Sequence, residues 1–231
     1  MLTQDHLKNV QERIKIAAHS SGRKPEDVKL VVVSKGQSLD AMRALYDAGV
    51  RDFGESRIQE AQEKLRALPS DIHWHMIGSL QTNKVRKVVG SCDLIHSVDS
   101  LHLAEKINAV SCELGITARI LLEVNTSKEV AKHGMIGDEL LQKFPSFLAL
   151  KNIALCGLMT MAPRCVTFDA DELKVVRGCF SELCQLKDKL CAKYPEIKNS
   201  LTELSMGMSQ DFEIAIQEGA TLVRIGSLIF E

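Results

Sequence analysis

Lys35 directly follows the apolar run LVVVS at residues 30–34, and residues 204–211 read LSMGMSQD. These two stretches offer two different chemistries. A lysine at the rim of a partly dry site can lose its proton and act as a nucleophilic amine. In the second stretch Gly207 lets backbone approach an anion closely, and Ser209 stands at the N-cap of a helix expected to begin at Gln210. Free N–H groups and the helix dipole favour a phosphate at such a point. A further small-residue loop, Ile225-Gly226-Ser227, follows Arg224. Plainer alternatives stand beside both readings: a solvated lysine at a strand end, and an ordinary strand-to-helix turn capped by Ser209. The carboxylates of Asp211 and Glu213 oppose an anion unless they point outward.

Elements must bring these residues together. Short β-branched runs alternate with segments of helical period, and eight candidate strands cover residues 30–34, 50–53, 73–77, 94–98, 118–124, 153–159, 202–205 and 221–225. Leu101, Ala104, Ile107, Val110 and Leu114 follow a 3–4 spacing, and residues 168–192 predict the longest helix. Ser56 and Gln59 have the spacing of a capping box, and Gly49, Gly90, Gly115 and Gly219 each follow a helical stretch as a left-handed C′ residue would. An extra amphipathic helix is expected over residues 3–20, within a lead-in of residues 1–27.

Eight β-α repeats imply parallel strands, because parallel neighbours need a crossover. The chain has 231 residues, and no GxGxxG follows the first strand. A closed (β/α)8 TIM-type barrel fits better than an open doubly wound sheet. No Pro/Gly/Ser-rich linker interrupts the pattern, so residues 1–231 are expected to form one barrel domain. The eighth helix is short or missing, and the N-terminal helix could cover that gap. In such a barrel, chemistry sits where strands end and helices begin. Closure puts strand eight beside strand one, so Arg224 and Lys35 share a rim next to the loop after strand seven. An amine, a guanidinium and an anion nest in one mouth suit a phosphorylated carbonyl compound held as a Schiff base. Pyridoxal 5′-phosphate (PLP) meets that description, and so does a sugar phosphate.

Composition removes other classes. The formal net charge is −1 and aromatics make up 4%, which argues against nucleic acid as a partner. No run approaches the ~18 apolar residues of a membrane span, so no membrane association is expected. Seven cysteines, an odd number without a CxxC pair, fit a reduced cytoplasmic setting and no metal cluster. Cys156 and Cys179 are expected as small core residues.

The series VVSKGQS, FGESRIQEAQEK, WHMIGSLQTNK, EVNTSKEVAKHG, GLMTM and LSMGMSQDFEIAIQEGATLVRIGSLIF spans nearly the whole chain in this order. It resembles the pyridoxal phosphate homeostasis protein family, also known as the proline synthetase co-transcribed homologues. The resemblance implies a fold type III PLP-binding barrel like the N-terminal domain of alanine racemase, with PLP as a Schiff base on Lys35. It implies phosphate contacts from Ser205, Gly207, Met208, Ser209 and Gly226, and it places Arg224 near the ring or phosphate. Met159 and His75 are carried over as pocket-lining residues; core filling and a satisfied buried histidine are the plain alternatives. Two positions depart from the family. Ser56 replaces the usual Asn of FGEN, which puts any amide contact to the cofactor in doubt. Gly36 replaces a larger residue, which should loosen the loop behind Lys35.

Racemases of this fold add a second domain and a tyrosine base on the opposite face. The two tyrosines here, Tyr46 and Tyr194, fall mid-helix and near a helix end. Racemisation needs proton transfer on both faces. A non-catalytic PLP carrier serving vitamin B6 homeostasis is therefore expected, handing PLP to apo PLP-dependent enzymes and present as a monomer or weak dimer. The alternatives are a small fold-type-III racemase or decarboxylase and a Schiff-base aldolase.

Overall fold

In the computed structural model, which describes residues 2–129 and 131–231, eight parallel strands close into a barrel in chain order. They are β1 (Lys29–Val33), β2 (Asp52–Glu55), β3 (His73–Met76), β4 (Leu94–Val98), β5 (Ala118–Glu123), β6 (Ile153–Met159), β7 (Glu203–Ser205) and β8 (Leu222–Ile225). The β1–β8 seam pairs Lys29 with Leu222 and Val31 with Arg224.

The helices are α1 (Leu2–Ser20), α2 (Leu39–Asp47), α3 (Ile58–Ala67), α4 (Leu101–Leu114), α5 (Gly137–Leu148), α6 (Ala170–Lys193), α7 (Phe212–Gln217) and α8 (Ser227–Phe230). The β3–β4 crossover is a 3-10 helix, Thr82–Lys87, where the repeat would place an α-helix. α4 shows how sequence sets the bounds. The Ser100 hydroxyl accepts the Leu103 N–H at its start, and Gly115 ends it at φ 66°, where a Cβ is penalised.

Side chains alternate along each strand. Val32, Phe53, Trp74, Ile95, Ile120, Leu204 and Val223 face outward into the layer shared with the helices. Val31, Leu94, Leu121, Cys156, Met159 and Leu222 form a separate apolar plug inside the barrel. Above and below that plug the interior is polar. This is the property that turns a packed core into a site.

α8 has only four residues, and α1 lies against α7, α8 and α2. Leu7, Val10, Ile14, Ala17 and Ala18 recur at helical spacing and are buried there. Arg13 closes the contact with a two-pronged pair to Glu213, at 2.8 and 2.9 Å. Glu213 therefore points away from the barrel mouth. The Ser56 capping box does not form: α3 begins at Ile58 with Arg57 at its N-cap and no side-chain cap bond. Ser56 lies one residue further out, with its backbone against Gly78. A Cβ on Gly78 would come within 2.3 Å of the Ser56 carbonyl oxygen.

Candidate functional site

The C-terminal mouth of the barrel opens into a cleft of about 560 Å3, lined in part by Lys35, Met208, Ser209, Arg224, Gly226 and Ser227. Lys35 is exposed on the turn that follows β1. That turn is clamped from below. Ser34 is fully buried, and its hydroxyl donates to Glu55 Oε1 at 2.7 Å. Lys64 Nζ donates to Glu55 Oε1 at 2.5 Å and to the Ser34 carbonyl at 2.6 Å. Gly36 sits at φ +71°, a left-handed value suited to glycine, and its N–H donates to Glu60 Oε2 at 2.9 Å. The loosening expected of Gly36 is thus not found, because this hydrogen bond ties the turn to α3. Gly36 and then Arg57 hold the Glu60 carboxyl below the usual carboxylate range.

A second amine reaches the cleft but is already engaged. Lys132 Nζ donates to the Ala162 carbonyl at 3.0 Å and pairs with Glu129.

The loop after β7 is shaped by close packing. Gly207 has φ +91°, and a Cβ there would lie 2.6 Å from the Ala215 Cβ and 2.9 Å from the Phe212 Cα. Only glycine fits between the loop and α7. The helix starts two residues later than the sequence suggests: Asp211, not Ser209, is its N-cap. Asp211 turns its carboxylate back to accept the Met208 N–H at 2.6 Å, while the Met208 carbonyl accepts the N–H groups of Asp211 and Phe212. Ser209 is left in the turn, facing the cleft. Among the described residues, the backbone N–H groups of Ser209, Gln210, Gly226 and Ser227 have no hydrogen-bond partner. Gly226 lies at the seam, where a Cβ would come 3.0 Å from the Val33 carbonyl oxygen.

Arg224 rises from inside the barrel. It is paired with Val31, four residues before Lys35, and its long side chain reaches up to the cleft. Nη1 donates to Ser205 Oγ at 2.6 Å and Nη2 to the Thr160 carbonyl at 3.0 Å. Burial pushes the guanidinium down to about 10, with Asp211 and Glu123 opposing, so it stays charged at neutral pH.

Five residues expected from the sequence, Lys35, Met208, Ser209, Arg224 and Gly226, come together on this cleft. Gly207 is buried beneath the loop. Ser205 is fully buried; it accepts from Arg224 and meets His96 Nδ1 at 2.8 Å. Met159 packs in the apolar plug, and His75 lines a crevice at the opposite end of the barrel beside Asp52. Those two are not brought to the cleft.

Glu123 went unread in the sequence. It follows the inward-facing Leu121 by two residues, so strand alternation could have found it. Burial pushes its carboxyl up to about 7; Asp99 adds to this, while His133 and Arg224 oppose. The folded protein holds a proton there that the unfolded chain gives up near pH 4.5. Stability from this group is present below that pH and lost as pH rises through about 7. Relative to Glu123→Gln, the parent is expected to lose about 1.4 kcal/mol per pH unit across that window. Urea unfolding of both proteins from pH 4.5 to 7 checks this, and parallel profiles would contradict it.

A closed parallel barrel whose mouth unites an exposed lysine, a buried arginine and glycine-serine loops defines a class of protein. It is that of the alanine racemase N-terminal domain, whose family model matches residues 6–231. A protein of Aquifex aeolicus named pyridoxal phosphate homeostasis protein is 40% identical over 227 residues, covering 98% of this chain and 96% of the relative. One of the same name from Synechocystis sp. is 42% identical over 208 residues, covering 89% and 92%. The structure of PipY from Synechococcus elongatus PCC7942 with PLP bound matches at TM-score 0.81 and 37% identity, covering 96% of this chain and all of that one. The chain belongs to the pyridoxal phosphate homeostasis protein family. Among the described residues no helix is long and apolar enough to cross a membrane.

Proposed function

We propose that the cleft holds PLP, joined to Lys35 Nζ as a Schiff base, and that the chain carries and buffers this cofactor without a dedicated reaction. One observation carries the reading: an amine and four backbone N–H groups that have no partner among the described residues meet in one cleft at the β1, β7 and β8 ends. A volume of about 560 Å3 lies in the range of small-cofactor sites. The donor set also fits. Backbone N–H groups of Ser209, Gln210, Gly226 and Ser227 suit a phosphate, and Gly207 and Gly226 let the two loops approach closely. The PLP-bound relative supports the same ligand.

When bound, the cofactor supplies an aldehyde for amine capture and a ring able to withdraw electrons. The protein's own groups set the rest. Ser34, Glu55, Lys64 and Glu60 hold the Lys35 turn, and Lys35 keeps access to solvent. Arg224 offers only donors, which disfavours a proton on a ring nitrogen facing it and so restrains the ring as an electron sink. Neither tyrosine lines the cleft. The Tyr46 hydroxyl donates to Asp71 at 2.7 Å, and Tyr194 packs on Phe144 at the end of α6.

The reading takes the chain as one barrel domain, a monomer or weak dimer, in the cytoplasm, with apo PLP-dependent enzymes as recipients. The second reading, a weak racemase or decarboxylase, rests on Glu123 as a titratable group near Arg224. PLP-loaded protein should restore activity to an apo PLP enzyme and leave L-alanine optically pure after prolonged incubation. Steady racemisation of alanine would reject the carrier reading in favour of the enzyme.

A further inference from the structure

A row of polar side chains runs through the barrel interior from one end to the other. Asp52 Oδ1 lies 3.0 Å from His75 Nε2, His75 Nδ1 lies 2.9 Å from His96 Nε2, and His96 Nδ1 lies 2.8 Å from Ser205 Oγ. Ser205 Oγ then accepts from Arg224 at 2.6 Å. His96 and Ser205 are fully buried, and His75 and Arg224 are 4% exposed. Asp52 and the edge of His75 line a crevice at the far end with Lys29, His73, Asp93, Arg119 and Glu203, and Arg224 reaches the cleft at the mouth.

The two ends of the row fix the protons between them. A carboxylate only accepts and a guanidinium only donates. Burial would raise the Asp52 carboxyl, but His75, Lys29 and His73 outweigh it, and it stays below the usual carboxylate range. Asp52 therefore takes the Nε2–H of His75. At the other end Arg224 can only donate to Ser205 Oγ, so the Ser205 O–H turns to His96 Nδ1 and the His96 Nε2–H meets His75 Nδ1 as its acceptor. Burial, then His75 and Arg224, keeps His96 well below the usual histidine value, so this ring is neutral and its Nδ1 accepts the Ser205 O–H. Ser205 is then free to accept from Arg224. Every donor points from the mouth towards Asp52, and each member has its partner. Reversing the order would aim both His96 and Arg224 N–H groups at one hydroxyl oxygen. It would also strand the Ser205 proton.

We propose that Asp52, His75 and His96 are positioning residues for Arg224: through Ser205 they impose one proton order and so hold the guanidinium at the cleft. The role towards the cofactor rests on the PLP reading above; the hold on Arg224 does not. The far end of the barrel thereby sets the aim of a group at its mouth.

The test uses cofactor-free, 15N-labelled protein. NMR of the parent should show the ring proton of both His75 and His96 on Nε2, with Nδ1 of each ring accepting, and slowly exchanging Nη protons on Arg224. Asp52→Ala removes the terminal acceptor. It should scramble both ring tautomers, broaden the Arg224 signals and weaken PLP binding about tenfold, the worth of one hydrogen bond to a charged group. Asp52→Asn keeps an acceptor oxygen and should restore both signals and affinity, which a role in packing alone would not produce. Ser205→Ala cuts the row next to Arg224 and should give the same Arg224 loss. A parent His96 carrying its proton on Nδ1, or Arg224 signals unchanged in both Ala variants, overturns the inference. Arg224 signals lost in those variants of a protein that takes up no PLP would uphold it and reject the cofactor reading alone.

Discussion

Lys35→Ala is expected to remain folded and to lose the yellow form that survives dialysis against cofactor-free buffer. Its side chain is exposed, and surface substitutions of this kind change stability by no more than about 0.5 kcal/mol. The clamp beneath it uses Ser34 and Gly36, not the Lys35 side chain, so the turn keeps its shape. The phosphate donors and Arg224 also remain. PLP should therefore still enter the cleft, but reversibly, and dialysis should remove it. A visible spectrum after dialysis, alongside a thermal melt, checks both halves. Retained colour in a normally folded variant would place the covalent bond on another lysine.

Lys64→Met should be the most destabilising conservative change near the site. Glu55 and Lys64 are 1% and 6% exposed, and Glu55 Oε2 already lacks a partner among the described residues. Removing the ammonium leaves a buried carboxylate supported by the Ser34 hydroxyl alone. Breaking one half of a buried pair costs about 3–5 kcal/mol. The Ser34 carbonyl also loses one of its two donors and keeps only the Gln37 N–H, so the Lys35 turn should loosen and PLP retention should fall with stability. Denaturant midpoints should drop with little change in slope. Adding Glu55→Leu should recover most of the loss, because a paired apolar replacement is often neutral. A single variant as stable as the parent would show that Glu55 is not held as a buried charge.

The barrel was legible because its cues are local and repeat. β-branched runs recur eight times with helical segments between them, glycine stops end four of those segments, and two of the eight strands, β4 and β6, have the bounds the sequence suggests. The residues of the cleft were legible for the same reason, since each lies within four residues of the C-terminal end of β1, β7 or β8. Cap assignments were less secure. Ser209 and Ser56 have capping chemistry, but a cap depends on where the first turn begins. At α7 that point is set by Gly207 packing on Phe212 and by Asp211 folding back to Met208. The family resemblance alone carried His75 over as a pocket-lining residue. Alternation instead puts His75 inward and low, beside Asp52 and His96, where both ring nitrogens have a partner. The hold on Gly36 comes from Glu60, 24 residues away, and no local pattern announces such a contact.

The decisive measurement is borohydride reduction of PLP-loaded protein followed by peptide mass mapping. Reduction should bleach the visible band and leave a single pyridoxyl group on the peptide that contains Lys35. A pyridoxyl group on the peptide bearing Lys132, or no stable adduct at all, would contradict the account.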